Sequence, residues 1–133
     1  MTVDELYILA EKEGVQTFSA DLPNAKAAAV SVDGITAIGI DRHLIASGAD
    51  KLPLAHELAH VLTGAWYDPA LSIINIKRME HRAEKQIVKW FVPEQELKAA
   101  LHEDVTANEL AERFGVSERI IKRAFWLYWR KEA

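Results

Sequence analysis

The sequence predicts an α+β domain in which a small sheet with a hairpin sits between an N-terminal helix and a series of helices. Three observations predict it. Asp33-Gly34 separates two apolar runs, Ala27–Val32 and Ile35–Ile40, and that dipeptide between such runs is the strongest short-range hairpin signal. Apolar residues recur at helical spacing before the hairpin and repeatedly after it. Hydrophobic residues make up 50% of the 133 positions, enough for a real core in one domain of ordinary size.

Residues 2–13 read as the first helix, with Thr2 or Asp4 as its cap and Leu6, Leu9 and Ala10 on one face. Gly14 stops it. Val15–Phe18 reads as a strand and Asp21–Asn24 as a turn, followed by the hairpin. Arg42–Leu52 reads as mostly irregular, with a helical turn as the alternative. Pro53 suits the first turn of a helix, which Leu54–Gly64 continues. Residues 65–76 lack periodicity and read as a loop. Lys77–Phe91 reads as a long helix closed by Pro93, with Ala83, Ile87, Val88 and Phe91 at helical spacing. Glu94–His102, Thr106–Phe114 and Ser117–Trp129 read as three shorter helices. These elements divide the chain into a core over 1–93 and a helical segment over 94–133 packed on it.

The charge balance is 16 Lys+Arg against 20 Asp+Glu, a net −4, which argues against a whole-chain nucleic-acid binder. There is no cysteine, which excludes a disulfide framework, a thiol nucleophile and a Cys-type zinc finger. Any metal must therefore sit on His, carboxylate or water. Met1–Glu5 is acidic and lacks the basic start of a secretory signal, and no apolar run approaches the roughly 18 residues of a membrane helix. The expectation is a cytoplasmic protein without membrane contact.

His56-Glu57-Leu58-Ala59-His60 carries the chemistry. On a helix, residues i and i+4 leave the same face, so both imidazoles can reach one zinc ion. Glu57 flanks that face, too close to ligate comfortably but able to reach a water on the metal. Two His ligands with a Glu general base is the metalloprotease arrangement. A catalytic zinc also needs a third protein ligand and an open position. Asp68, Glu80, His81, Glu84, Glu94 and Glu96 are the downstream candidates. Glu80 and Glu84 stand four apart on the next helix, and Ala83 between them allows close helix packing.

Leu54–His60, then Glu80-His81-Arg82-Ala83-Glu84, then Trp90–Pro93, together resemble the ImmA/IrrE family of metallopeptidases over roughly residues 20–130. The family pattern is a HELxH helix, then E-x-x-A-(N/D)-x-F-A, then an apolar stretch ending in Pro. The resemblance implies a zincin-like minimal metallopeptidase core with Zn2+ on His56, His60 and Glu80, and Glu57 as the catalytic base. It implies a helix-turn-helix repressor as substrate, cut to relieve repression, in the manner of prophage, mobile-element or stress-response antirepressors. The chain departs from the pattern at Glu84, where the family has Asn or Asp, and at Gln86-Ile87, where it has Phe-Ala. Glu84 is then a residue orienting a ligating His, or a rival ligand.

Further candidates are Tyr67 as an oxyanion donor and His43 as a cleft residue. Ile35–Ile40 reads as an edge strand beside the HExxH helix, open to an extended substrate. Residues 107–127 carry a helix-turn-helix pattern whose second helix offers Arg119, Lys122 and Arg123 to nucleic acid or a partner protein. The alternative to an endopeptidase is therefore a non-catalytic regulator that binds a repressor or DNA through these C-terminal helices.

Overall fold

A computed structural model describes residues 1–64 and 73–130, with the backbone alone over 73–76. The order of elements is α1 (Val3–Lys12), β1 (Val15–Ala20), β2 (Ala27–Val32), β3 (Ile35–Asp41), α2 (Arg42–Ser47), α3 (Lys51–Leu62), α4 (Ile73–Phe91), α5 (Glu94–Ala100), α6 (Ala107–Phe114) and α7 (Glu118–Phe125), followed by a wide π turn over Trp126–Arg130.

Local sequence accounts for most of these boundaries. The Thr2 hydroxyl accepts the Glu5 N–H at 3.2 Å and caps α1. Asp33 and Gly34 both take positive φ, 52° and 80°, as a two-residue hairpin of the right twist requires. Thr106 and Ser117 cap α6 and α7 in the same way as Thr2 caps α1.

The strands are ordered β1-β3-β2, with β1 parallel and β2 antiparallel to β3. The third strand is therefore central, and the reading of Ile35–Ile40 as an edge is corrected: the edges belong to β1 and β2. The hairpin signal joins β2 to β3 but carries no information about the long-range pairing that brings β1 to the other side of β3. Residues 21–26 connect the two outer strands across a span of about 10 Å, twice the interstrand spacing. The end of β3 holds this connection: Asp41 Oδ1 accepts the Leu22 N–H at 3.1 Å, and the Asp41 N–H donates to the Lys26 carbonyl at 2.9 Å. That first bond, ahead of the smaller effects of His43 and Arg42, holds the Asp41 carboxyl below the usual carboxylate range.

Val15, Ile38 and Ile40 point from the sheet into the core, where they meet α1 and α3 through Leu6, Ala10, Leu54 and Leu58. Gly39 lies on the other face. A Cβ there would stand 2.8 Å from Cζ of Phe18, so the absent side chain lets the Phe18 ring lie on the strand. The helix α4 packs on α3, and α7 packs on α4. One continuous apolar cluster runs from Leu6 to Leu97, Leu110, Ile121 and Ala124, joining residues on both sides of Pro93. The Tyr128 hydroxyl donates to the Val92 carbonyl at 2.6 Å and ties the π turn to the end of α4.

Two further readings are corrected. Arg42–Ser47, read as mostly irregular with a helical turn as the alternative, is the six-residue helix α2; none of its residues is buried, so it shows no apolar stripe. The loop read over 65–76 ends earlier, because α4 begins at Ile73; its start, Ile-Ile-Asn-Ile, is an apolar run with no polar face to reveal a helical period.

The buried Asp50 accepts a 2.7 Å hydrogen bond from the Tyr7 hydroxyl, which links α1 to the start of α3. Burial, then this bond and the Asp50 charge, push the Tyr7 hydroxyl well above its ordinary pKa. A raised folded-state pKa gives stability that is complete below the unfolded value of about 10 and is lost as pH rises beyond it. Tyr7→Phe is expected to cost about 1.5–3 kcal/mol at neutral pH and to remove part of the alkaline loss. Urea unfolding at pH 7 and pH 11 measures both; an equal cost at the two pH values contradicts the linkage.

Candidate metal centre

The HExxH segment occupies the middle of α3. Leu54, Ala55, Leu58 and Ala59 are all fully buried, and this packing fixes the helix's rotation. His56 and His60 emerge on one side, one turn apart, with ring centroids 4.7 Å apart. Glu80 reaches them from α4. Its Oε1 lies 3.2 Å from His60 Nε2, and its Oε2 lies 3.9 Å from His56 Nε2. Ala83, one turn further along α4, is 1% exposed, so only a methyl group stands there between α4 and the elements packed on it.

His56, His60 and Glu80 each present a ligand atom, and these atoms lie within 4.8 Å of one another. Ligands about 2 Å from a tetrahedral zinc stand roughly 3.3 Å apart. Two imidazole nitrogens and one carboxylate at these separations therefore fit a zinc ion with small side-chain adjustments. The His60 side chain is 6% exposed and the His56 side chain 46%, so the group opens to solvent on the His56 side.

Glu57 borders a cleft of about 400 Å³ with Lys26, Ala27, Leu52, Pro53 and His56. Burial pushes its carboxyl above the ordinary range; His56 and His60 pull it down, and Glu80 pushes it up. The strand beside this cleft is β2, which packs against α3 and, among the described residues, has no strand on its outer edge. A second cleft of about 420 Å³ lies on the α4 side of His56, bordered by Leu52, Glu80, Glu84, Ile87, Arg119 and Ile120.

Glu84 does not join the metal group. Its carboxylate is held by Arg119 Nη2 at 2.6 Å and Arg123 Nε at 2.7 Å, both from α7. Arg123 also hydrogen-bonds His81 Nδ1. Of the three cations read as a nucleic-acid or partner face, two are thus engaged with α4, while Lys122 borders a separate apolar groove with Phe125 and Trp126. Arg119 and Arg123 are one helical turn apart, which is the signal in the sequence that both could serve one carboxylate. His43 is 77% exposed and lies with Asp41 and Asp21, outside the HExxH group. Glu94 pairs with Lys98 along its own helix at 3.6 Å. Tyr67 and Asp68 lie outside the described residues. The sequence reading did not find Lys26, Leu52, Ile87 and Ile120 as cleft residues, since nothing in their spacing tells which helix each will face.

A helix carrying two His ligands and an adjacent Glu, with a carboxylate supplied by the next helix and a small mixed sheet behind, is the plan of a metallopeptidase. The family model of the IrrE N-terminal-like domain, a peptidase family (M78), matches residues 10–125, and the chain belongs to that family. No curated protein and no solved structure matches the chain significantly. Among the described residues, no helix is long and apolar enough to cross a membrane.

Proposed function

We propose that this chain is a zinc-dependent endopeptidase that cuts a helix-turn-helix transcriptional repressor and so relieves repression. The observation that carries the reading is the convergence of His56, His60 and Glu80 beside a partly buried Glu57. Zinc held by these three residues would polarise the scissile carbonyl and make water a better nucleophile near neutral pH. Glu57 takes the proton of the attacking water and delivers it to the leaving nitrogen. An extended substrate adds to the outer edge of β2, which positions its backbone beside Glu57. The family supports peptidase activity; the repressor substrate follows from the resemblance of the three ordered motifs to ImmA/IrrE proteins.

The purified chain is expected to carry about one zinc, and His60→Ala to lose it, by elemental analysis. Incubation with helix-turn-helix repressors encoded beside the chain should give one discrete internal cut, located by mass spectrometry. Zinc-free wild type after metal addition refutes the metal centre. Zinc-loaded protein that leaves every such repressor intact refutes the substrate.

A further inference from the structure

We propose that the cleft between α3, α4 and α7 is the subsite for an apolar substrate side chain next to the scissile bond, and that Ile120 and Arg119 of α7 select that side chain. The proposal deepens the peptidase reading and rests on it. The cleft shares His56 and Glu80 with the metal group, so a chain crossing that group passes its mouth. Its volume of about 420 Å³ falls within the roughly 300–1,000 Å³ of ligand sites. Leu52, Ile87 and Ile120 supply apolar wall, one from each of the three helices. The charged groups on the α4–α7 side are Glu80, which belongs to the metal group, and the bonded pair Glu84 and Arg119, which leaves no unpaired cation there to attract an acidic side chain.

The wall from α7 is held in place. Arg119 and Arg123 grip one carboxylate of α4 from successive turns, while Ile121 and Ala124 bury behind them. Ile120 is thereby fixed in the same cleft wall as Leu52 and Ile87. Arg119 is 72% exposed and lies at the rim, where it offsets the Glu84 charge that would otherwise attract a cationic side chain. The C-terminal helices then act as a specificity wall of the cleft.

The test uses zinc-loaded full-length protein and succinyl hydroxamates that differ only in one side chain: isobutyl, carboxyethyl or aminobutyl. The hydroxamate chelates the metal, and calorimetry reads the contribution of the side chain without any cleavage. Wild type should bind the isobutyl compound at least roughly tenfold more tightly than either charged one, as differences of this size in apolar pockets allow. Ile120→Ala should reduce that preference several-fold, with Ile120→Val as the milder variant should the first fail to fold. Arg119→Ala, at an exposed position, should improve the aminobutyl compound selectively. Acetohydroxamate, which has no side chain, should bind all variants alike. Equal affinities across the series, or a preference untouched by these changes, overturn the subsite alone. Absence of zinc uptake by wild type overturns the peptidase reading and the subsite with it.

Discussion

Glu57→Gln is expected to lower the rate of peptide cleavage by roughly 10²- to 10⁴-fold while leaving the zinc content unchanged. Glu57 is not one of the three clustered ligand residues, and the substitution keeps the size of the side chain. What it removes is the group that accepts a proton. Burial pushes the Glu57 carboxyl upward, against the pull of His56 and His60. An amide at this position can still hydrogen-bond a water but cannot take its proton. Cleavage rate and metal content measured on one preparation separate the outcomes. Cleavage at the wild-type rate excludes Glu57 as the base. Loss of zinc with loss of activity assigns it to metal binding instead. Full retention of zinc and activity is also what a non-catalytic role of Glu57 predicts.

The second large effect concerns stability. Leu58 lies inside HExxH, is fully buried, and belongs to the same apolar cluster as Leu54, Ile38 and Val88. Leu58→Ala is expected to cost about 2–5 kcal/mol, a large share of the 5–15 kcal/mol or so that holds a typical domain together. The sheet and α4 both press on α3, which limits how far the cavity can collapse. Urea unfolding should show a lower midpoint with an unchanged slope. Leu52→Ala, at a position 46% exposed on the same helix, should cost much less. Equal costs at the two positions contradict the packing of α3 described here. Because the packing that sets the rotation of α3 also aims His56 and His60, zinc affinity is expected to fall in Leu58→Ala as the helix loosens.

Much of this protein could be read from residues close together in the chain. The i, i+4 spacing of His56 and His60 puts two ligands on one face of any helix that contains them. Asp33-Gly34 permits the paired positive φ values of a tight hairpin. Thr2, Thr106 and Ser117 cap helices because each has a hydroxyl within reach of an N–H three residues on. These features depend on local geometry alone, which every chain with the same segment shares.

Contacts between distant segments were a different matter. Glu80 and Glu84 stand on the same face of α4, and spacing alone offers both as the third ligand. The tertiary structure separates them: the side of α4 facing α3 turns Glu80 to His60, while α7 draws Glu84 into a pair of arginine bonds. The central position of β3 likewise depends on its pairing with β1, across a connection that gives no sign of its destination. Of the basic residues of α7, Arg119 and Arg123 became clamps in the fold, because a charge is used by whichever partner packing places within about 4 Å of it. The sequence by itself determined the donor types, the helix that carries them and the hairpin behind it. Only the packing of α4 against α3 and α7 decided which carboxylate stands beside the two imidazoles and what walls the cleft next to them.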